Sequence, residues 1–144
     1  MTAEAVAPRL RLSVQFAARG KGLPARSTVR HWLLRALRQD AMLTVRFVDE
    51  AEGRQLNHAF RGRNYATNVL TFSYGAGTGV PASVHSPPEL SGDIALCVPV
   101  LRREAHDQQK SLRAHCAHLT IHGALHLQGH DHESPKDAKV METL

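Results

Sequence analysis

The 144-residue sequence is poor in cysteine and aromatic residues and has no long apolar run. Its two cysteines, Cys97 and Cys116, cannot form a disulfide framework, and free thiols suit a reducing cytoplasm. No apolar stretch approaches the ~20 residues needed to cross a bilayer, and residues 1–8 lack the pattern of a signal peptide. We therefore expect one cytoplasmic domain over residues 1–144, with a hydrophobic core and no membrane partner.

The charge balance is basic, with 18 Lys and Arg against 13 Asp and Glu and a formal net charge of +5. A basic surface attracts polyanions, chiefly nucleic acid or anionic membrane. The alternative is a solvated basic face, and Arg30, Arg35 and Arg38 are read first in that way and second as an RNA-facing patch. Charge alone does not choose between these interpretations.

Hydrophobic periodicity predicts four strands and several helices. The strands are expected near 9–16, 43–48, 69–74 and 93–98, and residues 75–92 form a long loop rich in Gly, Pro and Ser. A first helix is predicted to start after the N-cap Ser27 and to run to about Gln39. A second helix is predicted to follow the N-cap Asp49 and to bury Leu56, Ala59 and Phe60. Pro99 begins a third helix, Ser111 caps a fourth over about 112–127, and residues 136–144 form a short terminal helix.

The fourth helix carries the most informative motif of the chain. His122 and His126 are four residues apart, so both imidazoles project from one helix face. Gly129 is placed to end the helix in a left-handed conformation and turn His132 towards them. Three imidazoles with an open fourth position are typical of catalytic zinc. The sequence therefore predicts one Zn²⁺ held by His122, His126 and His132, although three imidazoles also suit nickel or copper.

Other side chains near this motif have weaker interpretations. His118 and His115 lie on the same helix face one and two turns before His122. They are interpreted either as core-lining histidines or as residues that contact the metal ligands or RNA. Burial is the expected role of both cysteines, and Cys116 as an extra ligand is the alternative. His130 or Asp131 could supply a fourth ligand if the zinc were structural.

The spacing of the three histidines reproduces that of the metzincin proteases. Those enzymes carry a general-base Glu directly after the first ligand, where this chain has Gly123. A protease is therefore disfavoured, and a phosphodiester substrate fits better. A metal can polarise a phosphoryl oxygen, while a nearby arginine stabilises the equatorial charge. Arg61, in a basic turn before the third strand, is the candidate arginine; an ordinary surface role is its alternative.

The segment His122–His132, preceded by His118-Leu-Thr-Ile, resembles the signature of the YbeY endoribonucleases, bacterial ribosomal RNA maturation factors. Three further segments agree: Leu56–Arg61, Thr67–Phe72 and Ser91–Ile94. The resemblance extends over about residues 43–141. Asn64 and Ala66 depart from it by replacing an expected Asp and Pro.

This resemblance implies an α+β domain with a small mixed sheet, zinc on His122, His126 and His132, and cleavage of single-stranded RNA. It also implies processing of the 3′ end of small-subunit ribosomal RNA and ribosome quality control, with small-subunit components as partners. Arg61 matches the family's cleft arginine, so Arg61 and His122 are the predicted catalytic residues. Asp93 matches an acidic residue associated with the cleft and with partner contacts, and Asp131 and His118 are further candidates there.

Three questions stay open at the level of sequence. The attacking group is either a metal hydroxide or the 2′-OH of the substrate, and Asp131 and Asp93 are only candidate bases. The protein could instead be a ribosome-assembly factor whose zinc is mainly structural. A metallohydrolase of another class, such as a protease, is the remaining alternative.

Overall fold

The computed structural model describes residues 8–74 and 89–129, and this part of the chain forms a mixed sheet packed with helices. Its strands are β1 (Leu10–Phe16), β2 (Ala41–Val48), β3 (Val69–Ser73) and β4 (Leu90–Cys97). Its helices are α1 (Arg26–Ala36), α2 (Glu50–Arg61), α3 (Val98–Asp107) and α4 (Leu112–Leu127). The α+β class and the small mixed sheet of four strands are confirmed.

The strands lie in the order β1-β2-β4-β3. β1, β2 and β4 are parallel, and β3 pairs antiparallel to β4 at the edge of the sheet. Parallel neighbours require a crossover, and α1 supplies it between β1 and β2. Among the described strands β3 lies at the edge of the sheet, in contact with α4.

Successive side chains of a strand point to opposite faces of the sheet. The two faces of this sheet pack against different helices. Val45 and Ile94 are paired in register and belong to the main core, which α1 and α4 complete. Val48 and Cys97, also paired, belong to a smaller cluster on the other face, where Leu56 of α2 packs. Side chains of β4 therefore alternate between α4 and α2, and this decides which of them can reach a given site.

The prediction for α1 is wrong at both ends. The helix begins at Arg26 after an extended Ala25 that makes no side-chain cap bond, and it ends at Ala36. In place of a side-chain cap from Ser27, the Ala25 carbonyl accepts hydrogen bonds from the backbone N–H groups of Thr28 and Val29. The Arg26 guanidinium ties this end of the helix to β1 by donating to the Leu12 carbonyl at 2.7 Å. Arg30 similarly donates to the Leu10 carbonyl, so it holds β1 instead of forming a solvated face.

The cap of α2 is confirmed, but its predicted buried side is wrong. Asp49 Oδ1 accepts a hydrogen bond from the Glu52 backbone N–H at 2.8 Å. The buried residues are Gly53 and Asn57, with Leu56 partly buried, whereas Ala59 and Phe60 are exposed. Leu56 packs near Val48 and Cys97, and in the last turn of α2 the Phe60 ring meets Phe72 of β3 edge-on while most of its surface stays exposed.

The signals around α3 and α4 are confirmed. Pro99 lies in the first turn of α3, and Ser111 Oγ accepts from the Ala114 N–H at 3.0 Å. Gly129 has a φ of +103°, a conformation that glycine adopts without steric cost. β4 begins at Leu90, three residues before its predicted start at Asp93. The rest of that loop and the predicted terminal helix lie outside the described residues, and no described helix is long and apolar enough to cross a membrane.

Candidate active site

α4 presents a row of histidines on one face, because spacings of three and four residues return to the same side of a helix. His115 is buried, whereas His118, His122 and His126 are partly buried. The His115 and His118 ring centroids lie 6.3 Å apart, and the His118 and His122 centroids are also 6.3 Å apart. The row therefore runs along α4 from the buried His115 to the partly buried His126.

A cavity of about 390 Å³ lies between the end of this row and the edge strand β3. His122 and His126 line one side of it, and Arg61 lines it from the last position of α2. The remaining wall is continuous in sequence, running over residues 67–71. Three of the residues singled out from the sequence, far apart in the chain, thus share one cavity.

Arg61 enters this cavity from an exposed position just before α2 ends at Gly62, whose φ is +69°. Within the part of the chain that is described, no carboxylate oxygen lies within 4 Å of its guanidinium. A guanidinium stays ionised and matches the geometry of phosphate oxygens. The guanidinium of Arg61 thus has the charge and the geometry to bind an anionic group that enters the cavity.

A second cavity of about 370 Å³ adjoins the first and shares Asn68, Val69 and His122 with it. His115 and His118 line this second cavity together with Glu104 of α3. His115 Nε2 lies 2.8 Å from Glu104 Oε1, and Asn68 Nδ2 donates to both oxygens of the same carboxylate at 3.1 and 3.3 Å.

The roles of Glu104 and Asn68 are not visible in the sequence. Glu104 lies on α3 and His115 on α4, and no spacing rule links residues across the break between two helices. Asn68 is part of the family-like segment Thr67–Phe72 without a predicted role, and its side chain also accepts from the Val69 N–H at 2.6 Å. The structure shows that the Glu104 carboxylate connects the histidine helix to the cavity wall.

Asp93 is not brought together with the histidines. Its neighbour Ile94 faces α4, so the Asp93 side chain points to the opposite face, where it lines a smaller cavity with Arg46 and Phe72. There it accepts a hydrogen bond from the Tyr74 hydroxyl, which raises the pKa of that tyrosine. Asp93 is therefore poorly placed to act as a base beside His122.

The donor set fits a metal as far as the structure describes it. His122 and His126 offer two imidazoles to one cavity, and imidazole is a common ligand of zinc. The third predicted ligand, His132, lies outside the described residues, as do His130 and Asp131. Over residues 8–74 and 89–129, no three His, Cys, Asp or Glu side chains are grouped so as to hold a metal.

Both cysteines are buried, as predicted from the sequence. Cys116 belongs to the main core, and burial raises the pKa of its thiol to about 11. A thiol must lose its proton to bind zinc, so a raised pKa opposes metal binding by Cys116. Its position in the core gives no support to the alternative of an extra ligand.

Gly123, at the position of the protease general base, faces the sheet. A Cβ at this position would lie 3.2 Å from Ile94 Cγ2 and 3.3 Å from Thr71 Cγ2. α4 and the sheet are therefore in close contact here, and a longer side chain would have to displace Ile94 or Thr71. The position of Gly123, as well as the missing carboxylate, argues against peptide hydrolysis.

The molecule is thus an α+β protein with a cleft that combines imidazole and guanidinium side chains. Residues 23–144 match the family described as Endoribonuclease YbeY. The chain belongs to this YbeY endoribonuclease family, which confirms the resemblance inferred from its motifs.

Relatives named Endoribonuclease YbeY cover nearly the whole chain. The protein from Thiobacillus denitrificans is 49% identical over 96% of this chain and 88% of its own length. The protein from Aromatoleum aromaticum is 51% identical over 98% of this chain and 87% of its own. The solution structure of TM1509 from Thermotoga maritima has a TM-score of 0.57 at 24% identity, covering 93% of this chain and 85% of that one. This structural likeness supports the fold.

Proposed function

We propose that this protein is a zinc-dependent endoribonuclease that cuts single-stranded RNA, with ribosomal RNA as its substrate. The observation that carries the proposal is the shared cavity of Arg61, His122 and His126. Membership of the YbeY family supports ribonuclease activity, and the net charge of +5 favours a polyanionic substrate. We further propose that the protein acts in the cytoplasm, in maturation of the small-subunit rRNA 3′ end and in ribosome quality control. Its partners would be components of the small ribosomal subunit.

In this mechanism His122 and His126 hold the metal together with His132. When bound, the ion supplies a Lewis acid for the phosphoryl oxygen and an activated water. The guanidinium of Arg61 binds the phosphodiester in the cavity and stabilises negative charge as it develops on the equatorial oxygens. Catalysis then comes from electrostatic stabilisation that is stronger in the transition state than in the bound substrate.

Glu104 acts at a distance from the reacting atoms in this proposal. Its carboxylate is in contact with His115 of α4 and with Asn68 of the opposite wall. Holding both fixes the direction of the histidine row relative to residues 67–71. Glu104 is therefore a positioning residue, because its contacts are with other side chains of the cleft.

The test combines elemental analysis of the purified protein with a gel assay of RNA cleavage. We expect about one zinc per chain and cleavage of single-stranded RNA in preference to a duplex of the same sequence. His126→Ala should lose both the zinc and the cleavage while keeping its circular dichroism spectrum. The control is His31→Ala, which removes an exposed imidazole from α1 and should change neither.

Undiminished cleavage by His126→Ala, or by wild-type protein stripped of metal, would overturn the metal-dependent mechanism. Unfolding of His126→Ala, with ribosome association intact in Arg61→Ala, would instead favour an assembly factor with a structural zinc. Cleavage of casein by the wild-type protein would revive the protease alternative.

A further inference from the structure

The stretch of chain around Arg61 is basic. The sequence has no Asp or Glu between Glu52 and Glu89, but it has three arginines there, Arg54, Arg61 and Arg63. In the structure, residues 58–65 are exposed and residues 66–68 are partly buried. A polyanion lying on residues 58–65 would meet guanidinium groups of a stretch that itself carries no carboxylate.

Two large aromatic side chains are exposed on the same stretch. Phe60 is 66% exposed and Tyr65 is 54% exposed, although the chain has only seven aromatic residues in total. The Phe60 ring meets Phe72 edge-on at a centroid distance of 4.8 Å. The buried Asn57 donates from Nδ2 to the Tyr65 backbone carbonyl at 2.7 Å. The fold therefore holds the Phe60 ring and the Tyr65 backbone, and both rings present most of their area to solvent.

The aromatic residues bracket the cavity wall along the chain. The wall runs over residues 67–71; Tyr65 precedes it by two residues, and Phe72 follows it directly. Phe60 packs on Phe72, whose side chain lies on the face of the sheet that carries α2, so the Phe60 ring lies on that side of β3. A strand of RNA with a phosphate at Arg61 that runs over the end of α2 would come near Phe60, one residue before Arg61, and Tyr65, four residues after it.

A basic groove of about 330 Å³ continues this surface on the outer side of α2. Arg54, His58 and Asn64 line it, and Arg54 Nε donates to Asn64 Oδ1 at 3.0 Å. Arg63 lies next to Asn64 in the chain, between the groove and Arg61. The groups that can contact phosphate thus extend beyond the cavity itself.

Resting on the proposed ribonuclease function, we propose that Phe60 and Tyr65 are stacking platforms for bases flanking the cleavage position. In this inference Arg63 and the outer groove of α2 bind the adjacent phosphates. Stacking on aromatic rings combined with a basic track is how proteins hold single strands without reading sequence. Bases paired in a duplex are not available to such rings, so the surface would contribute to a preference for single-stranded RNA.

The test measures binding of a fluorescently labelled single-stranded RNA by anisotropy, in a buffer with EDTA so that metal-dependent cleavage does not interfere. We expect Phe60→Ala and Tyr65→Ala each to raise the Kd about tenfold. Tyr65→Phe, which keeps the ring, should bind like the wild type. The matched control is Phe16→Ala, because Phe16 is 41% exposed on β1, at the opposite edge of the sheet.

Two further measurements separate stacking from charge. On an abasic RNA of the same length, the wild type, Phe60→Ala and Tyr65→Ala should bind equally, since no base is present to stack. Arg63→Ala should reduce the slope of log Kd against log salt by about one, whereas Tyr65→Ala should leave that slope unchanged. Arg35→Ala, on α1, is the control for charge.

Wild-type affinity of both alanine variants for RNA would overturn the inference. The inference would also be overturned if the alanine variants lost binding only to ribosomal subunits or to a second copy of this chain. The surface would then be a protein-docking site. The assay does not depend on cleavage: a wild-type protein that binds but does not cut RNA would overturn the proposed function alone.

Discussion

His115 Nε2 and Glu104 Oε1 lie 2.8 Å apart, and this contact joins the helix of histidines to the preceding helix. The same carboxylate accepts from Asn68, the residue before β3. His115 is only 3% exposed, so its ring depends on Glu104 for this hydrogen bond. A single carboxylate thus sets the relation between two walls of the candidate active site.

Glu104→Ala is expected to lower the free energy of unfolding by about 1–3 kcal/mol, because it leaves buried polar groups without a partner. It should also reduce RNA cleavage. Glu104→Gln keeps an acceptor oxygen and should recover most of both losses. Urea denaturation and cleavage rates measure these effects, and Glu50→Ala is the control, since the Glu50–Arg103 pair is exposed. Equal losses in Glu104→Ala and Glu50→Ala would contradict the positioning role.

Arg61→Ala is expected to lower kcat for RNA cleavage by about 10²–10³, the usual effect of removing a donor that stabilises transition-state charge. Arg61→Lys should recover only part of this rate, because an ammonium lacks the planar fork of a guanidinium. Stability should change little, since Arg61 is exposed. Steady-state kinetics with Arg35→Ala as control measure the effect. An unchanged kcat with a raised KM would show that Arg61 only binds the substrate.

Gly123→Glu is expected to destabilise the protein strongly, because the added side chain would enter the contact between α4 and the sheet. Gly123→Ala should cost less, about 1–3 kcal/mol from overpacking, partly offset by the better helix propensity of alanine. Thermal and urea unfolding measure both changes. Ala114→Glu places the same side chain on an exposed position of α4 and should be nearly neutral. A stable Gly123→Glu protein would show that this contact is looser than described.

Cys116 predicts a dependence of stability on alkaline pH. Burial raises the pKa of its thiol from 9.0 to about 11, so the folded protein retains this proton where the unfolded chain releases it. The resulting stabilisation is complete below pH 9 and is lost as the pH rises from 9 through 11, by about 3 kcal/mol. Urea unfolding at pH 7 and pH 10.5 should show a smaller alkaline loss for Cys116→Ala than for the wild type. Equal losses would contradict the raised pKa.

Local signals predicted the local structure well. Asp49 and Ser111 cap helices as their spacing indicated, and Gly129 adopts a positive φ where the histidine helix ends. These features depend on hydrogen bonds and backbone angles within a few residues. Ser27 is not a cap, because the helix begins one residue before it and the Ala25 carbonyl accepts from the first-turn N–H groups. Arg26 also bonds to a carbonyl of β1, a contact between distant parts of the chain that no local signal indicates.

Periodicity was less reliable for deciding what a helix buries. The pattern of α2 suggested that Phe60 is buried, yet its ring meets Phe72 of β3 only edge-on and stays 66% exposed. Asp93 was expected near the cleft, but the alternation of β4 places it on the face opposite the histidines. In both cases the outcome depends on which neighbouring element lies alongside.

The sequence by itself determined the row of imidazoles on α4, because a helical repeat places residues three and four apart on one face. It also supplied the motifs that led to the YbeY family. Only the tertiary structure decided what faces that row: Arg61 from the end of α2, and a wall from the edge strand β3. Those contacts join residues far apart in the chain, and packing of the helices on the two sides of the sheet brings them together.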